Sequence, residues 1–122
     1  MSQTKLTVEQ LTAIEALITK GWTQKAYARL HLDSLNDYDP TEPDAACYCL
    51  IGATAAAIYP TMVSKSSLDA IIHAIDLATN TFLLYTYFAV HTWNDAPGRT
   101  QAEVLSLIAR VKADRMKEEA AS

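Results

Sequence analysis

The sequence predicts an all-α fold, a compact single-domain bundle of five to six helices around a buried, charge-free central helix at about residues 42–59. Three observations carry that expectation. Two capping-box tetrapeptides each stand just before a run of apolar residues at three- and four-residue steps. A stretch of fifteen residues, 45–59, has no charged side chain, as suits a helix buried on every side. Only one segment, 82–93, is rich in strand formers, and a lone strand leaves its backbone groups unsatisfied.

The elements follow in order. Thr7-Val8-Glu9-Gln10 is the first capping box, and Leu11, Ile14, Leu17 and Ile18 give the helix behind it one buried face. Gly21 is placed to end that helix as a left-handed residue, Trp22 to plug the corner, and Thr23 to cap a short second helix reaching about Leu30. Residues 31–41 read as a polar loop. Thr41 then caps the central helix, with Glu42 and Asp44 at the positive end of its dipole and Pro43 in its first turn. Cys49, Gly52, Ala53 and Ala56 form a strip of small residues that lets a neighbouring backbone come close. Pro60 stops the helix.

A fourth helix starts at Ser66 or Ser67, with Leu68, Ile71, Ile72 and Ile75 as its buried arc and Asp69, His73, Asp76 and Asn80 opposite. Residues 82–93 are taken as a fifth helix. Trp93 to Gly98 then make a tight turn, with Pro97 and Gly98 at the centre of a type II turn. Thr100-Gln101-Ala102-Glu103 is the second capping box, followed by Val104, Leu107, Ile108 and Val111 on one face. Arg110 and Asp114 are spaced to pair at i, i+4. Residues 1–5 and 117–122 are expected to fray.

Composition narrows the function classes. The chain has 122 residues, half of them hydrophobic, and a net charge of −4. A nucleic-acid binder usually has a basic excess, so that class is disfavoured. The charge is uneven: residues 1–29 carry +2, residues 30–98 carry −7 and residues 99–122 carry +1. Asp33, Asp37, Asp39, Glu42 and Asp44 crowd into twelve residues. They are a solvated loop on the ordinary reading and a partner-binding patch on the sharper one. No signal peptide is recognisable, and the longest apolar run falls short of the ~20 residues of a membrane span. In a helix Cys47 and Cys49 stand about 160° apart, which suits neither a disulfide nor a shared metal ion. Reduced thiols and a cytoplasmic location are the simplest reading.

Gly21-Trp22-Thr23-Gln24, Cys49-Leu50-Ile51-Gly52-Ala53, and Trp93-Asn94-Asp95 through Gly98-Arg99-Thr100 to Glu103-Val104 together carry a resemblance. The chain resembles a family of small uncharacterised bacterial and phage proteins, a domain of unknown function. That family has W-C-L-x-G-A in its middle and [WF]-N-D-x-x-G-R-T-x-x-E-V near its end. Tyr48 stands where the family usually has Trp. The resemblance implies a small helical domain and no activity. Its phage members make an inhibitor of a host defence system one conceivable role.

The candidate chemistry is sparse. Trp22, Gln24, Asn94, Asp95, Arg99, Thr100 and Glu103 are the candidate ligand-binding set. The amides, guanidinium and hydroxyl of the turn that opens the last helix suit an anion. Asx bracing of the turn and an Arg99–Asp95 pair are the structural alternative. Asp69, His73 and Asp76 share a helical face, as metal ligands or a proton relay do, but that face lies opposite the apolar arc. Cys47 and Cys49 read as packing thiols. His91 with Asp95 or Glu103 is the outline of a hydrolase or transferase, without a converging cluster. No catalytic residue, metal site or cofactor is assigned, since the chain lacks a Gly-rich phosphate loop, H-E-x-x-H and C-x-x-C. The leading expectation is a non-catalytic domain that binds a protein partner or a second copy of itself. A small-ligand or anion-binding domain is the alternative.

Overall fold

The computed structural model describes residues 5–31, 40, 45–59, 67–82 and 87–121, the side chains of 67–71 and 87–89 excepted. Its order is α1 (Val8–Lys20), β1 (Ala28–Arg29), β2 (Cys47–Tyr48), α2 (Leu50–Ile58), α3 (Ser67–Phe82), α4 (Tyr87–Asn94) and α5 (Gln101–Ala121). The architecture is all-α, with one two-residue ladder inserted. No helix among the described residues is long and apolar enough to cross a membrane.

α1 forms where the first capping box places it. The Thr7 hydroxyl accepts from the Gln10 amide at 3.1 Å, and the Gln10 side chain accepts from the Thr7 amide at 3.0 Å. Leu11, Ile14 and Ile18 are fully buried, each contributing about 1.5–3 kcal/mol. Gly21 does end the helix, but with φ 179 it is extended rather than left-handed. Its lack of a side chain serves contact instead. A Cβ there would collide with the Ala46 carbonyl oxygen and lie 2.9 Å from the Cys47 Cβ.

The short helix expected after Thr23 does not form. Residues 24–27 bend instead, with Lys25 left-handed at φ 65. Ala28 and Arg29 pair antiparallel with Tyr48 and Cys47, while Trp22 bridges Tyr48 in parallel. The central helix is accordingly shorter than expected. The charge-free run divides into strand β2 and helix α2, which starts at Leu50 and not near 42. Cys49 is its N-cap, its sulfur accepting from the Gly52 amide at 3.3 Å. Leu50 through Ala56 are all buried, as expected. The small strip does admit a neighbouring backbone, that of Tyr27, whose carbonyl oxygen and carbon crowd the position a Gly52 Cβ would take.

α3 begins at Ser67; of its expected buried arc, Ile75 packs against the core and Ile72 does not, while the side chains of Leu68 and Ile71 lie outside the described residues. Ala74, Leu77, Ala78, Thr81 and Phe82 are buried, whereas Ile72 is 57% exposed. α3 packs against α2, and alanines allow two helices to approach where larger side chains hold them apart. The expected fifth helix is realised as α4, Phe82 belonging to α3. α4 is followed by the anticipated turn: Arg99 N–H donates to the Ala96 carbonyl at 3.0 Å, with Gly98 at φ 80.

α5 opens on the second capping box, Thr100 and Glu103 exchanging amide bonds at 2.9 and 3.2 Å. Val104, Leu107, Ile108 and Val111 are buried, as the spacing indicated. α5 lies antiparallel to α1: Gln101 donates to the Ile18 carbonyl, Lys112 pairs with Glu15, and Glu119 accepts from the Val8 amide. The Arg110–Asp114 pair is not among the ion pairs of the described residues. Residues 117–121, expected to fray, are helical, and Glu118 and Glu119 bond to Arg115. At the other end, Leu6 donates to Thr81 Oγ1 and accepts from Arg115 Nε.

Candidate functional site

The residues singled out in the sequence fall into two groups on either side of one turn. The first is a knot around Asn94, the last residue of α4, which is 1% exposed. Its Oδ1 accepts from Trp22 Nε1 at 2.9 Å and from the Leu50 amide at 3.0 Å. Its Nδ2 donates to the Thr23 carbonyl at 3.2 Å and to Asp95 Oδ1 at 2.9 Å. An amide side chain has two donor hydrogens and two acceptor lone pairs, so its capacity is filled. Leu50 opens α2, where an amide otherwise lacks a helical partner. Asn94 thereby joins three segments: the chain after α1, the start of α2 and the end of α4.

The neighbours of Asn94 are also occupied. Gln24 Nε2 donates to the carbonyls of Asn94 and Ala96, both at 3.0 Å, which closes the C-terminal end of α4. Asp95 Oδ1 accepts from the Lys25 amide at 3.0 Å. That bond helps hold Lys25 in a left-handed conformation that costs a non-glycine residue about 1–2 kcal/mol. Trp22, Gln24, Asn94 and Asp95 are therefore brought together, as the ligand hypothesis required, but they bind one another.

The second group is Arg99, Thr100 and Glu103. Arg99 donates from Nε to the Trp93 carbonyl at 2.8 Å, and its guanidinium stacks 4.0 Å from the Trp93 ring centroid. It pairs with Glu103 at 3.3 Å and not with Asp95. Glu103 Oε1 also accepts from the amide and hydroxyl of Thr100. Beside this group lies a groove of about 380 Å³, walled by Trp93, Arg99, Glu103, Ser106, Leu107 and Arg110. Trp22 takes no part in it. Ser106, Leu107 and Arg110 were not selected from the sequence as site residues, although with Glu103 they lie at i+3, i+4 and i+7 on one helical face.

The remaining candidates stay apart. The His91 ring packs edge-on against Tyr27, centroids 5.5 Å apart, and no hydrogen bond among the described residues joins it to Asp95 or Glu103. His73 lies near the Tyr59 ring, and Asp76 is exposed. The Asp69 side chain lies outside the described residues. So do Asp33, Asp37, Asp39, Glu42 and Asp44, the expected partner-binding patch. No group of three metal-ligating side chains occurs among the described residues. Both cysteines are buried, and neither forms a disulfide. Burial pushes the Cys47 thiol above its ordinary range, partly offset by the Arg29 charge and by hydrogen bonds from Thr23 and Arg29. A thiol in that state is a poor nucleophile.

A family model described as a family of unknown function, DUF6197, matches residues 3–114. The chain belongs to DUF6197. The match spans both groups, from Trp22 to Arg110, so the knot and the groove both lie within the part of the chain that defines membership of DUF6197. No curated protein and no solved structure matches the chain.

Proposed function

We propose that the protein is a non-catalytic helical module that acts by binding another protein, with the groove side of α5 as its contact surface. The observation that carries this reading is the contrast between the two polar groups. The Asn94 side chain at the centre of the knot has no hydrogen-bonding capacity left and serves the fold. The groove beside it keeps unused donors on a rigid helix. Cross-linking in a native lysate, followed by mass spectrometry, tests the reading. It expects a reproducible partner linked through residues of α5. A strictly monomeric protein that yields no cross-linked partner would refute it.

A second reading is a small anionic ligand in the same groove, whose volume lies in the usual range for ligand sites of ~300–1,000 Å³. A melting point raised by millimolar organic anions supports it, since binding to the native state stabilises that state.

A further inference from the structure

The hydrogen-bond inventory of the groove goes beyond its shape. Its one carboxylate is spent: Glu103 Oε1 takes the Thr100 amide and hydroxyl, and Oε2 takes Arg99 Nη1. Its donors are not. Arg99 uses Nε and Nη1, and among the described residues its Nη2 has no partner. Arg110 is exposed, and no hydrogen bond or ion pair engages it among the described residues. The Ser106 hydroxyl and the Trp93 indole N–H are likewise unbonded among them. The face presented is thus rich in donors and cationic on balance, within a protein whose net charge is −4. Guanidinium groups pair with carboxylates in bidentate fashion, and the Trp93 and Leu107 side chains supply apolar contact between the charges.

Resting on the protein-binding reading, we infer that the groove receives an acidic peptide segment of the partner, its carboxylates held by Arg99 and Arg110. Charge complementarity selects this occupant. The groove offers donors at separate points, from the α4 end and the turn to Ser106 and Arg110 on α5, which a row of acidic side chains matches better than a single small anion does.

The test uses the full chain and a fluorescein-labelled hexaglutamate peptide, read by fluorescence anisotropy at low salt. Binding is expected in the range of about 10–100 μM, weakening several-fold at physiological salt, because exposed charges are screened within ~8 Å there. Arg110→Ala is expected to weaken it about fivefold or more. Lys117→Ala, which alters an exposed cation farther along the same helix, is expected to leave it unchanged. Absence of binding at about 1 mM peptide would overturn the assignment, as would equal losses in the two variants. Competition by free glutamate at the same carboxylate concentration would give the groove to small anions. Self-association abolished by Arg110→Glu would give it to a second copy. A lysate partner cross-linked equally to wild type and Arg110→Glu would remove the groove assignment while leaving the protein-binding reading intact.

Discussion

Replacing Asn94 by alanine tests the central claim about the knot. Truncation removes four hydrogen bonds. The Leu50 amide is buried where it meets Asn94, and leaving such a donor unpaired costs about 1–3 kcal/mol. Trp22 Nε1, the Thr23 carbonyl and Asp95 Oδ1 are only partly buried and can turn to water, so about 0.5–1 kcal/mol each is reasonable. The sum is about 2.5–6 kcal/mol, against roughly 5–15 kcal/mol for a whole domain. At about 3–5 °C per kcal/mol for a chain of this length, melting falls by about 8–30 °C. Circular dichroism at 222 nm during heating measures it. Asn94→Asp separates the two sides of the amide. It keeps the acceptor for Trp22 and Leu50 but sets a second carboxylate against Asp95. The two facing carboxylates repel, so the variant is expected to melt below wild type at neutral pH. A melting point for Asn94→Ala within about 3 °C of wild type would refute the reasoning.

Three further outcomes are expected. Gly52→Ala should lose about 1–3 kcal/mol in urea melts, because its methyl meets the Tyr27 backbone and overpacking outweighs the ~1 kcal/mol gain in helix propensity. Thr100→Ala should cost about 1 kcal/mol through the lost cap on Glu103 N–H; an unchanged midpoint would place the start of α5 elsewhere. The Cys47 thiol, held neutral by burial, has a folded pKa above its unfolded value. Stability should thus decline as pH rises past about 8.5, and the slope should diminish in Cys47→Ala. Equal slopes would mean that Cys47 is not the group responsible.

α1 and α5 were legible in the sequence because their signals are local. A capping box and an apolar repeat lie within one stretch of chain, and the same atoms make the same bonds in the fold. The β1–β2 ladder carries no such signal. Two-residue strands show no alternation, and Ala28 meets Tyr48 only because both Gly21 and Gly52 permit close approach. On α3 Ile72 was misjudged because size was taken as a proxy for burial, whereas Ala74 and Ala78 occupy the interior and Ile72 does not. At the site, an Asx residue beside a turn suggests bonds to the turn's own backbone. The partners of Asn94, however, are Trp22, Thr23 and Leu50, far from it along the chain. The unused donors of the groove emerge only after every other donor and acceptor has been matched.

The pairing of α1 with α5 bears on how the protein is made. The bond from Val8 to Glu119 spans 111 residues. A ribosome adding about 5–20 residues per second therefore takes roughly 5–20 s to deliver the helix that shields Leu11, Ile14 and Ile18. During that interval the apolar stripe of α1 must be covered by α2, with which it also packs, or by a chaperone. Ribosome-bound chains stalled before α5 should accordingly be sensitive to protease within α1, and chains stalled after it should be resistant.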